Sequence, residues 1–232
     1  MASDLTSIQD TFLDLVIYGR LDSIIDFIKE NKPFEILFDK DEKIFMSILT
    51  QSELSIVEYI YNKRINENVK INVVNLENAL FSYSNSWLYM TSIECLFKQS
   101  NVFDRFKLLT KILGIDRVLM IFSRMQKYII EENSFDVFKF VIEQGYDFID
   151  ADSLTILQSI YYSPKIAKYL YNKYPEYYSD LFKLYADMIR SCVAYHNAFE
   201  LVDWLKENNV DVPEETLSKA ITEYNRHGLL NG

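Results

Sequence analysis

At 232 residues, with 49% apolar and 25% charged composition, the chain can bury roughly 70% of its unfolded surface without disulfides, and no tract is biased enough to be expected disordered. The formal charge of −10 argues against a general nucleic-acid binder, because such affinity comes from counterions released around Lys and Arg. With 17 Tyr and 16 Phe against only 5 Gly and 4 Pro, there is too little turn material for a many-stranded sheet, so an all-α fold is expected.

The first predicted element is a helix over residues 8–17. It is followed by GRLDSIIDFI from Gly19, where Leu21, Ile24, Ile25 and Ile28 keep the i, i+3, i+4, i+7 spacing of a buried helical stripe. A second pair is predicted over residues 43–50 and SELSIVEYI from Ser52, and a third over residues 76–83 and TSIECLF from Thr91. Residues 103–130 (FDRFKLLTKILGIDRVLMIFSRMQKYII) permit two helices broken near Gly114 but no clean copy of the pattern. This middle unit reads as a packing adaptor, a bend or a seam. Its six bases and two acids between Asp104 and Lys127 would pair with the acidic helix that follows. The pattern resumes with SFDVFKFVI from Ser134. Residues 154–161 then pair with SPKIAKYL from Ser163, and residues 184–195 with NAFELVDWL from Asn197, leaving a last first-helix at residues 213–224.

Taking Ile25, Val57, Ile93, Phe138, Ala167 and Val202 as equivalent positions gives intervals of 32, 36, 45, 29 and 35 residues. Such self-similarity marks a repeat array, in which one helix pair cannot cover its apolar face and stacked neighbours make the core. Ser52, Ser134 and Ser163 stand where an N-cap hydroxyl is expected, and Pro164 stands at the first helical position. The predicted organisation is one helical-repeat domain over residues 1–232. It has N-terminal repeats at about 8–102, the irregular unit at 103–130 and C-terminal repeats at 131–225.

The copies resemble the ankyrin repeat, whose second helix reads approximately G-H-x-E-I-V-x-x-L and runs into a G-A-D-V turn. The resemblance is carried by FDVFKFVIEQGYDF from Phe135, with Gly145, Tyr146, Asp147 and Phe148 in place of that turn. It is carried also by FELVDWLKENNVDV from Phe199, with Asn209, Val210, Asp211 and Val212 there. Gly145 and Asn209 suit the left-handed residue that closes a helix. The T-P-L-H opening of the first helix is only echoed, by SLTIL from Ser153 and by Thr216 with Leu217, and residues 148–153 are too few for a protruding hairpin. Aromatic, Gly-poor repeats of this kind are similar to the ankyrin proteins of large DNA viruses and amoebae. The resemblance implies a solenoid of stacked helix-turn-helix repeats that binds another protein, as a viral adaptor or antagonist of a host protein. A structural subunit of a virion or other assembly is the alternative, and an acidic mimic of nucleic acid stands behind both.

Chemistry-bearing residues are sparse. The two histidines, His196 and His227, leave little for a nucleophile and base; Ser191, His196 and Asp203 are not spaced to meet as a triad on helices. Cys192 and His196 lie i, i+4, but no second pair completes a zinc site, and the glycines are too scattered for a phosphate loop. No enzyme activity, cofactor or metal is therefore predicted. Cys95 and Cys192 fit reduced core thiols. No run approaches the roughly 18 apolar residues of a membrane span, and residues 1–10 lack a signal peptide's basic start and apolar stretch, so a cytoplasmic monomer without membrane contact is expected. The remaining cluster is nine tyrosines between Tyr161 and Tyr195. Tyr169 falls at a repeat-core position. Tyr161, Tyr162, Tyr177 and Tyr178 occur as adjacent pairs, of which at least one member should leave the core, either packing between repeats or forming a protein-binding surface.

Overall fold

In a computed structural model the described residues are 2–82, 90–147 and 162–176, with single helical positions at 203, 206, 207, 218 and 222. They form ten α-helices and one short 3₁₀ turn, with no strand among them. The helices are α1 (Ala2–Tyr18), α2 (Leu21–Glu30), α3 (Lys43–Gln51), α4 (Leu54–Asn66), α5 (Val73–Leu80), α6 (Ser92–Phe97), α7 (Val102–Leu113), α8 (Ile115–Glu131), α9 (Phe135–Glu143) and α10 (Pro164–Lys173). The 3₁₀ turn, Phe34–Leu37, lies between α2 and α3. None of the described helices is long and apolar enough to cross a membrane. The chain divides into two compact units, Met1–Val118 and Leu119–Gly232.

The first unit is organised around α3. Ile44 through Thr50 are all buried, a wider apolar surface than a one-sided stripe requires, and α3 packs against α1, α4, α5 and α6. A helix covered on every side must be apolar all round. Its two polar interior residues are small, and Thr50 returns its hydroxyl to the Met46 carbonyl at 2.9 Å. Phenylalanines extend this core toward α1: Phe38 lies edge-on to Phe12, Phe34 and Phe45 with centroids 5.8, 5.2 and 6.3 Å away. Gly19 makes the α1–α2 corner possible. Its N–H reaches the Leu15 carbonyl at 2.7 Å, and a Cβ there would sit 2.3 Å from that oxygen.

In the second unit, α8 lies against α9, with Phe122 6.2 Å from Phe138 and 4.5 Å from Tyr146. Tyr169 on α10 stands edge-on to Phe135 and Phe138 at 5.8 and 6.4 Å. The helix expected at 43–50 is α3, and the break expected near Gly114 is a glycine at φ +86 between α7 and α8. Residues 103–130 thus form two helices, α7 and α8, on either side of that glycine.

Three helix ends share one geometry, and the helix starts correct one expectation. At α4, α8 and α9 a left-handed residue, Asn68, Asn133 or Gly145, follows the C-cap. In each case the next N–H reaches back five residues: Val69 to Arg64, Ser134 to Ile129, and Tyr146 to Val141, at 2.9, 2.8 and 3.3 Å. This is the Schellman closure, which satisfies carbonyls that the helix leaves open. The serines do not act as expected N-cap acceptors. Ser52 is the C-cap of α3, with Glu53 before α4 instead, and neither Ser134 nor Ser163 makes a side-chain cap bond. The Ser163 hydroxyl donates to the Asn133 side-chain oxygen, which competes successfully for it. Capping is instead visible at α3, where Asp39 accepts the N–H groups of Lys43 and Ile44 at 3.1 and 2.9 Å.

Candidate functional site

A buried ion pair holds the turn between α4 and α5. Glu42, just before α3, takes the left-handed conformation at φ 59 and is 3% exposed; Arg64, on α4, is 1% exposed. The two groups face each other as a fork, with Arg64 Nη1 and Nη2 donating to the Glu42 carboxylate at 2.7 and 3.1 Å. The same carboxylate accepts the Asn72 N–H at 2.8 Å, and Arg64 Nη2 also donates to the Lys70 carbonyl at 2.7 Å. The guanidinium lies over Phe38 and Phe45, 4.3 and 4.9 Å from their centroids. A buried pair of this kind contributes little net stability over an apolar replacement, because both charges lose their hydration. What it does is fix positions: the start of α3, the end of α4 and the 70–72 backbone are tied at one point.

On the outer side of that turn lies a groove of ≈ 410 Å³, within the size range of binding pockets. Its apolar lining comes from Tyr61, Ile65, Val69, Ile71, Val73 and Ile112, so one wall is the α4 end with its turn and the other is α7. Ile65 is 55% exposed and adds open apolar area to the groove. Lys70 and Lys111 stand exposed in the same lining, with Lys111 Nζ 5.2 Å from the Tyr61 ring centroid. Lys29, Lys63 and Lys107 each pair with a carboxylate on their own helix or at its end. By contrast Lys70 and Lys111 have no carboxylate within ion-pair distance among the described residues. Glu67, beside the groove in sequence, is engaged by Lys63.

The ion pairs seen for the basic middle segment are not with the acidic helix that follows it. Lys107 pairs with Asp104 and Lys127 with Glu131, both inside their own helices, and Arg117 reaches back to Glu77 on α5 at 3.3 Å. Arg105 is buried. It donates to the Asn101 side chain and the Leu49 carbonyl, each at 2.6 Å, and to the Ser52 carbonyl, so it satisfies the C-terminal end of α3. Burial pushes its guanidinium down to about 10, so the group is still charged at neutral pH.

Of the four tyrosines expected to form a surface, Tyr162 is 41% exposed, whereas Tyr161, Tyr177 and Tyr178 lie outside the described residues. Tyr169 is half-buried in the second unit, at the core position expected of it; burial first, then the charge of Glu143 and the neighbouring Tyr174, hold its phenol above its ordinary value. Ser191, Cys192, His196 and His227 also lie outside the described residues, and Asp203 is an exposed helical position. Cys95 is a buried free thiol. Among the described residues no group of three or more His, Cys, Asp or Glu could hold a metal ion.

The groove itself has a signal in the sequence. Asn68-Val69-Lys70-Ile71 repeats the order of Gly145-Tyr146-Asp147-Phe148 and Asn209-Val210-Asp211-Val212, with a lysine where the other two turns carry an acid. The left-handed Asn68 and Gly145 confirm that the first two turns close their helices alike. Comparison with known proteins gives no matching family model, curated protein or solved structure.

Proposed function

We propose that this chain is a non-catalytic protein-binding module built from ankyrin-like helix pairs. The observation that carries the reading is the groove beside the 68–71 turn, where apolar side chains stay open to solvent on a turn that a buried ion pair holds rigid. Preformed apolar concavities with a few polar groups at the edge are the usual form of a recognition site, because little ordering entropy is lost on binding. The helix pairing supports the repeat reading: α1 with α2, α3 with α4 and α5 with α6 pack within the first unit, at the spacing of the sequence pattern. In the setting that the resemblance implies, the partner is a host protein and the chain its adaptor or antagonist.

Affinity capture of the tagged full chain from its native cell or infection, with the bound proteins identified by mass spectrometry, tests the reading. A stoichiometric partner that binds again after both proteins are purified is the expected result. Recovery of the chain alone, or only as part of a particle, makes it an architectural subunit instead.

A further inference from the structure

We infer that the groove between the 68–71 turn and α7 takes an acidic amphipathic segment of a partner protein, with aliphatic or aromatic anchors in the groove and carboxylates on Lys70 and Lys111. The inference rests on the protein-binding reading and specifies its site and the partner's chemistry.

Three observations converge on this occupant. The groove wall contributed by Lys111 and Ile112 belongs to α7, which falls in the longest interval, 45 residues, of the sequence pattern. At the third position of the turn, where the two other copies carry Asp147 and Asp211, this copy carries Lys70. Finally, Lys70 and Lys111 meet no carboxylate within ion-pair distance among the described residues, while Arg64, which also lines the groove, is neutralised by Glu42. The groove thus offers apolar area with two uncompensated cations on its surface.

The net charge of −10 does not oppose this. At physiological ionic strength charges more than about 8 Å apart are largely screened, so the local pairs decide the contact. A nucleic acid is a poor fit, since its closely spaced phosphates call for a track of cations, and two lysines around an apolar floor do not form one. An amphipathic helix laid into a groove, read through anchors one turn apart, fits both the apolar floor and the charged edge.

The test selects ligands from a random-peptide display library on the full chain and measures the winners by fluorescence anisotropy. The expected winners combine Leu, Ile or Phe at helical spacing with Asp or Glu. Their affinity for the Lys70→Glu/Lys111→Glu variant falls about tenfold or more, and exchanging the peptide's acids for lysine restores binding to that variant. Ile65→Ser weakens binding as well, without loss of helical circular dichroism, because Ile65 is already half in solvent. Winners without acids, winners that bind the double lysine variant equally well, or no winners at all overturn the inference. Affinity capture with the double variant separates the two levels. The same partner retained at full strength removes the groove and leaves the protein-binding reading standing, whereas a chain that captures nothing in either form removes both.

Discussion

Arg64 is isolated from water at 1% exposure, and among the described residues its only carboxylate partner is Glu42. Removing one member of such a pair leaves the other charge buried and unpaired, which costs about 3–5 kcal/mol, and that part of the cost disappears when both are removed. Glu42→Ala and Arg64→Ala should therefore each lower the urea midpoint sharply, and the double variant should be far more stable than the sum of the two losses predicts; additive losses would show that the pair is not coupled. Tyr169 is half-buried against Phe135 and Phe138. Burial disfavours its phenolate, so the folded chain keeps this proton to a higher pH than the unfolded chain. Its contribution is complete below the ordinary value of 10.0 and is lost as pH rises through the raised folded value. Tyr169→Phe should thus shrink the fall in urea midpoint between about pH 9 and about pH 11, and an unchanged fall would place the alkaline sensitivity elsewhere.

At the scale of single helices, boundaries and caps had different fates. The start of α3 at Lys43 and the glycine break after α7 were legible because an apolar run and a Gly announce them directly. The expected side-chain cap bonds of Ser134 and Ser163 do not form, because a hydroxyl goes to whichever acceptor or donor the packed chain brings nearest, and for Ser163 that is Asn133. Helix α5 begins at Val73, three residues before the expected 76, because Asn72 accepts the Asn75 N–H at 3.2 Å and starts the turn earlier. A consequence can be measured. A serine that caps a helix is worth about 0.5–2 kcal/mol over alanine, so Ser134→Ala, which removes no such bond, should fall below that range. Gly145 sits at φ +102, and Gly145→Ala forces an L side chain into that region with a cost of about 1 kcal/mol or more. Chemical denaturation should rank Gly145→Ala as the more damaging of the two, and the reverse order would mean that Ser134 caps α9 after all.

For the molecule as a whole, periodicity disclosed the all-helical class and, among the described residues, the place of helices such as α3, α4 and α9, since burial on one face of a helix writes itself into the sequence every three or four residues. It did not disclose the groove, which depends on α7 closing against a turn some forty residues earlier. Aromatic density pointed to the tyrosines, yet in the described core phenylalanine and tyrosine rings pack on one another, so abundance alone does not separate packing from recognition. Helix α7 brings both uses onto one element. Phe106, Leu109 and Leu113 are buried at i, i+3 and i+7, and Lys111 is exposed at the groove. Leu109→Ala should cost about 2–5 kcal/mol of stability because it leaves a cavity in the first unit's core. Lys111→Glu should change stability by less than about 0.5 kcal/mol, as surface substitutions do, while reducing affinity for an acidic partner. Urea denaturation and binding measured on the same two variants check the division. If Lys111→Glu unfolds the chain, or leaves that affinity untouched, α7 is a core helix alone and serves packing.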